Sequence, residues 1–134
     1  MKYIVRFFMV LLVCGVSLYA YSSDGKSDKI LNKNRDIVLE SAPDDWYTLA
    51  SCAEQCIKKN IVNKEVAEWI DKSLEIKKSS YNLEIKGDYY MKNKLPNKAG
   101  EFYLEAIKVG LEEDNNFNYS GLQSKIARIM KMET

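Results

Sequence analysis

The chain has 134 residues, 46% of them apolar and 29% charged, with 20 Lys and Arg against 19 Asp and Glu and no His. This balance excludes the electrostatic footprint of a nucleic-acid binder or of a protein held on an anionic membrane surface. The lack of His removes the commonest general base and metal ligand, and the length supports one modest hydrophobic core.

In chain order, Lys2 and Arg6 precede an apolar run from Phe7 to about Tyr21, and the polar segment SSDGKSDK follows. Charge, length and small exit residues are those of a signal peptide, so residues 1–22 are expected to be removed on export, by cleavage after Ala20 or Ser22. A run of about 15 apolar residues falls short of the ~20 of a spanning helix, which ranks an uncleaved anchor second. Cys14 does not fit a lipidation site, because Val13 is too large for the position before it and the apolar run continues beyond. The expected location is periplasmic or extracellular, with no membrane contact after cleavage. Loss of Lys2 and Arg6 leaves 18 bases against 19 acids.

Residues 23–27 are small and polar and read as a linker. Residues 28–40 carry Ile30, Leu31, Ile37 and Val38 at near-helical spacing, which predicts a leading amphipathic helix. Ser41-Ala42-Pro43-Asp44 then reads as a helix start, with Ser41 as N-cap, a proline in the first turn and an acid facing the helix dipole. The helix that follows, to about Lys59, presents Leu49, Cys52, Ala53 and Cys56 on one face. Asn63 is the expected cap of the next, to about Lys77, whose inner stripe is Val66, Ile70, Ser73 and Leu74.

From Ser80 to Leu111 the pattern is clearest. Leu83, Gly87 and Tyr90 share a helical face, and a glycine that costs roughly 1 kcal/mol against Ala in a helix belongs where another helix crosses too closely for a Cβ. Pro96 fits the first turn of a second helix, where its missing N–H costs nothing. Ala99, Tyr103, Ala106 and Ile107 form the facing stripe. The acidic stretch Glu112 to Asn116 breaks the pattern. A final helix is predicted from a Ser120/Gln123 capping box, with Leu122, Ile126, Ile129 and Met130 inside. The expectation is an all-α chain of about six helices, without strands.

Gly87, Tyr90, Ala99, Tyr103 and Ala106 stand at the spacing of the tetratricopeptide repeat, whose period is about 34 residues. The preceding hairpin resembles a degenerate copy, with Ala53, Tyr47 and Lys58 standing one such period before Gly87, Tyr81 and Lys92, and one extra residue in its turn. The resemblance implies that residues 28–134 form a short superhelical stack of antiparallel helix hairpins, two repeats between a leading and a capping helix. It implies a non-catalytic scaffold or adaptor that binds a protein or peptide, without cofactor or metal, or that stacks on another repeat protein. In that family the first helix of each pair lines a concave groove. The corresponding positions here are Tyr47, Ala50, Glu54, Ile57 and Lys58 from one repeat, and Tyr81, Glu84, Asp88, Met91 and Lys92 from the next. With acids in mid-groove, the expected partner segment carries Lys or Arg, and acidic tails are expected to be repelled.

Other chemistry competes with this reading. Cys52 and Cys56 invite a thiol-dependent redox or metal-handling role, since thiolates suit soft metals. Residues four apart on a helix hold their Cβ atoms about 5–6 Å apart, against the ~3.5–4.5 Å of a disulfide. Once residues 1–22 and Cys14 are removed, two thiols without His or a third Cys are also an incomplete zinc set. Both lie on the stripe expected to be core, where free cysteine behaves as a small apolar residue. Tyr81, Tyr89, Tyr90 and Tyr103 offer a carbohydrate or peptide platform, yet at helical spacing Tyr90 and Tyr103 are expected inside. Glu112 and Glu113 sit in a polar turn rather than a glycosidase pocket. Asn118-Tyr119-Ser120 has the form of a glycosylation acceptor.

Overall fold

The computed structural model describes residues 25–132. Six helices follow one another: α1 (Gly25–Glu40), α2 (Trp46–Lys58), α3 (Lys64–Ile76), α4 (Ser80–Lys92), α5 (Pro96–Glu113) and α6 (Ser120–Met132). Among the described residues there is no strand, and the all-α class with six helices stands as expected. The signal peptide at 1–22 lies outside the described residues. Of the supposed linker, Gly25 to Ser27 already belong to α1.

Helix ends follow local chemistry that the sequence only partly announces. Ser41 does not cap α2. Its hydroxyl donates to Val38 O at 2.8 Å and its N–H to Ile37 O at 3.1 Å, so it closes α1. The cap of α2 is Asp45, which accepts from the Thr48 N–H at 2.9 Å, a bond that also holds its carboxyl below the usual range. Asn63 caps α3 as expected, accepting from Val66 N–H at 3.0 Å. A capping box without a sequence-based expectation behind it forms between Ser79 and Asn82 at the start of α4. The one expected at Ser120 and Gln123 does not form, because Ser120 is already helical: Asn118 Oδ1 accepts its N–H at 3.1 Å, and Gln123 N–H donates to Tyr119 O.

The two hairpins repeat one another in register. Helices α2 and α4 are each 13 residues long and begin one repeat period apart, at Trp46 and Ser80. Each is followed by a residue in the left-handed region, Asn60 (φ 60°) and Lys94 (φ 59°), again one period apart. The next N–H reaches back five residues in both cases, Ile61 to Cys56 O at 2.9 Å and Leu95 to Tyr90 O at 3.0 Å. Such a left-handed exit satisfies the last carbonyls while turning the chain. The first turn spans residues 59–63 and the second 93–95, so the first is longer by two residues rather than one.

Burial follows the number of neighbours each helix has. Helix α2 touches α1, α3 and α4, and its buried arc is correspondingly wide: Leu49, Ala50, Cys52, Ala53, Cys56 and Ile57. Val66, Trp69 and Ile70 of α3, Leu31 of α1 and Ile85 of α4 complete this core. A second core joins Leu83 of α4 to Ala99, Tyr103 and Ala106 of α5 and to Leu122 and Ile129 of α6. Leu74 packs against both, so the two are continuous. Tyr90 is half-buried, stacked on Phe102 with centroids 5.4 Å apart. Met130 is 63% exposed, against the inward position expected for it, because α6 covers one end of the stack and buries only Leu122 and Ile129 fully.

Gly87 sets the α4–α5 crossing. A Cβ there would stand 2.6 Å from Tyr103 Cδ1 and closer still to Cε1. The Tyr103 ring therefore passes over the backbone of α4, and its hydroxyl emerges on the far side to donate to Asp88 Oδ1 at 2.7 Å. Gly110 plays the same part for Phe117, whose Cγ would lie 2.8 Å from an added Cβ.

Candidate functional site

The face of α2 and α4 away from their hairpin partners carries most of the residues expected in a groove. Tyr47 is exposed and stacks on Tyr81, with centroids 5.3 Å apart and planes 25° off parallel. Tyr81 donates to Glu54 Oε2 at 3.0 Å; burial first, then that carboxylate, raise its phenol well above the ordinary range. Glu54 also pairs with Lys58 at 2.7 Å. Lys92 is exposed and donates to Asn60 Oδ1 at 2.6 Å. Ala50 is fully buried and Ile57 nearly so, a correction to their placement on an open face: both lie on the arc of α2 that its three neighbours cover.

Two concavities lie on this face. One, of about 360 Å³, opens between the C-terminal ends of α2 and α4 and helix α6. Its apolar floor is Ile57, Met91 and Tyr103, and Lys58, Asp88, Lys92, Lys125 and Arg128 stand around it. The other, of about 390 Å³, lies at the N-terminal ends of the same helices. Trp46, Tyr81 and Phe117 make its aromatic walls, and Lys77, Glu84 and Glu113 reach its rim. Lys77 Nζ sits 5.0 Å from the Trp46 ring centroid.

Between the two, Lys125 of α6 reaches across to α4. It binds Asp88 at 2.6 and 2.8 Å and Glu84 at 2.8 Å, and lies 5.3 Å from the Tyr103 ring centroid. Burial alone would lower the Lys125 pKa, but the hydrogen bonds to both acids outweigh it and leave the ammonium above its ordinary value. Tyr103, whose hydroxyl joins the same cluster, is raised by burial and by Asp88. The three groove acids are therefore engaged within the chain, Glu54 by Lys58 and Tyr81, Glu84 and Asp88 by Lys125. This weakens the acidic character expected of the groove, since two lysines pair with its three acids. The cations at the first cavity with no ion pair among the described residues are Lys92 and Arg128, and the acid so placed at the second is Glu113.

Sequence reasoning does not mark Lys125, Arg128, Trp46 or Phe117 as groove residues. Lys125 and Arg128 come from α6, separated from α4 by the whole of α5, and nothing local in the sequence places it there. Tyr103 is expected as core and is both core and floor, because Gly87 lets it through.

The thiols lie apart from this face. Cys52 and Cys56 are free and buried, on the side of α2 that faces α1 and α3. Burial pushes Cys56 up to about 11, partly opposed by the Asn34 amide, which donates to its Sγ at 3.6 Å; Cys52 is raised by burial too. Neutral thiols are poor nucleophiles and poor metal ligands. The raised pKa favours the protonated form in the fold, so this part of the stability is complete below the unfolded thiol value near 9 and declines as pH rises toward 11. An aromatic disulfide reagent at pH 8 is expected to label Cys52 and Cys56 at least 100-fold more slowly in the native protein than in denaturant. Labelling at the rate of a free thiol would reinstate a thiol-dependent function.

No group of three or more metal-ligating side chains converges among the described residues, and none of the described helices is long and apolar enough to cross a membrane. Comparison with protein-family models, with curated proteins and with solved structures gives no match, so the geometry itself carries the functional reading.

Proposed function

We propose that the chain is a non-catalytic protein-binding module of the tetratricopeptide type, an exported scaffold or adaptor that holds a segment of another protein along the face of α2 and α4. The observation that carries this reading is the pair of cavities with apolar or aromatic floors on one continuous face, lined by Tyr81, Asp88, Met91 and Lys92 at helical spacing. Clefts of several hundred Å³ with few, placed polar groups are the usual form of a ligand site. The one-period register of α2 with α4, and of the turns after them, supports the repeat assignment. Tyr47 and Tyr81 supply stiff contact area of the kind that dominates binding hot spots.

Selection of a random peptide library on the full chain tests this. Binders are expected to lose at least 10-fold in affinity to Met91→Glu, which sets a charge on the half-buried floor, while the helical circular-dichroism signal stays unchanged. A library that yields no binder, or binders indifferent to Met91→Glu, would remove the groove. Asp88→Lys is a poor probe of the same question, since Asp88 holds Lys125 and with it α6.

A further inference from the structure

The two cavities differ in the charge they leave uncompensated, and that difference specifies what the groove reads. This inference rests on the proposed peptide-binding reading and goes beyond it. At the C-terminal end of α4, Lys92 and Arg128 stand over the apolar floor without an acidic partner among the described residues, because Lys125 is spent on Asp88 and Glu84 and Lys58 on Glu54. A carboxylate placed there meets two cations and breaks no ion pair of the chain, because Asp88 at the same cavity is held by Lys125. At the N-terminal end, three aromatic residues and Glu113 surround a cavity in which the chain already lays a cation of its own, Lys77, on the Trp46 face. Aromatic faces attract ammonium and, more often, guanidinium groups. Lys77 is exposed, so a guanidinium from a partner displaces it to solvent at small cost and gains Glu113.

Tyr81 marks one end and Lys92 the other, both on α4. Eleven helical steps of about 1.5 Å give roughly 16 Å between them. An extended segment advances about 3.3 Å per residue, so about five residues cover that distance. We propose that the occupant is an extended segment of a partner protein carrying an arginine and an acidic residue about five positions apart, the arginine on the Trp46–Tyr81–Phe117 walls beside Glu113 and the acid between Lys92 and Arg128. Lys125, tied to Glu84 and Asp88 at the waist between the cavities, holds the two ends at fixed separation.

Fluorescence anisotropy with the full chain and labelled synthetic peptides separates the outcomes. The peptides share an apolar-polar spacer and place Arg and Glu five apart in both orders, two apart, or replaced by Gln. One order at spacing five is expected to bind at least 10-fold more tightly than the spacing-two and Gln peptides, and to weaken with salt. Arg128→Glu and Glu113→Arg are each expected to weaken it about 3- to 10-fold, and a peptide with the matching charge reversed is expected to restore it. Lys77→Ala is expected to strengthen it, by removing the resident cation. Equal binding of the Gln peptide, still lost in Met91→Glu, would overturn the charge reading and leave the groove. No binding by any peptide would overturn both. Self-association of the chain blocked by Arg128→Glu would make a second copy the occupant and overturn the proposed segment.

Discussion

Replacing Gly87 by leucine is expected to remove about 3 kcal/mol of stability, the upper end of what overpacking a core costs. The added side chain has nowhere to go. Its Cβ alone meets the Tyr103 ring. That ring is 1% exposed, hemmed by Leu83, Ala99 and Ala106 in its own core, and pinned at its hydroxyl by Asp88. Relief requires either that α5 lift from α4 or that Tyr103 leave the crossing, and the second choice also strips Lys125 and Asp88 of the phenol beside them. For a domain of this size the melting temperature should fall by roughly 15 °C. Gly121 serves as the control: nothing lies within 4 Å of an added Cβ there, so Gly121→Ala should be neutral or stabilising by about 0.5 kcal/mol. A Gly87→Leu protein that melts with the parent would mean the α4–α5 crossing is wrong. Binding should fall with it, since Tyr103 is floor to the basic cavity.

How far the fold can be read in advance depends on how local its causes are. The α4–α5 hairpin is legible because Gly87, Pro96 and the Ala99–Tyr103–Ala106 stripe each state a steric fact about their own helix. Ser41 misleads because a serine between two helices serves either one, accepting from the N–H groups ahead or donating to the carbonyls behind; the shape of the chain at Asp45 decides. Ala50 and Ile57 are misplaced by the assumption of a single stripe for α2, whereas a helix with three neighbours buries half its circumference. Met130 errs the other way, since a terminal helix with few neighbours buries little. Of the residues that line the two cavities, Tyr81, Asp88, Met91 and Lys92 share a face that spacing along one helix predicts. The charge balance of that face is not legible, because Lys125 pairs with both Glu84 and Asp88 from α6, and no pattern within α4 announces that docking.

Asn82→Leu carries the other large effect, of about 3–4 kcal/mol, and for the opposite reason to Gly87: the site is polar and closed, so the loss comes from buried groups left without partners. Asn82 is fully buried at the α3–α4 junction. Its Nδ2 donates to Lys77 O at 2.7 Å and to Ser73 Oγ at 3.0 Å, and its Oδ1 accepts from Ser79 N–H at 2.9 Å and from the Ser79 hydroxyl. Ser73 in turn donates to Trp46 O at 2.7 Å, so one amide ties the end of α3 to the starts of α2 and α4. Leucine fills similar space but leaves the Ser79 N–H and the Ser73 hydroxyl oxygen buried without this partner, at about 1–3 kcal/mol each, and takes the amide from the half-buried Lys77 carbonyl as well. Ser79→Ala, which removes only the N-cap hydroxyl, should cost about 1 kcal/mol. Urea unfolding with an unchanged m-value measures both; a loss for Asn82→Leu no larger than that of Ser79→Ala would mean that solvent reaches the junction. Trp46, Ser79, Ser80 and Tyr81 around this junction also line the aromatic cavity. The same substitution should therefore weaken an arginine-bearing peptide more than one held only over Met91, which makes Asn82 the point where the stability of the stack and the shape of its groove are set by one side chain.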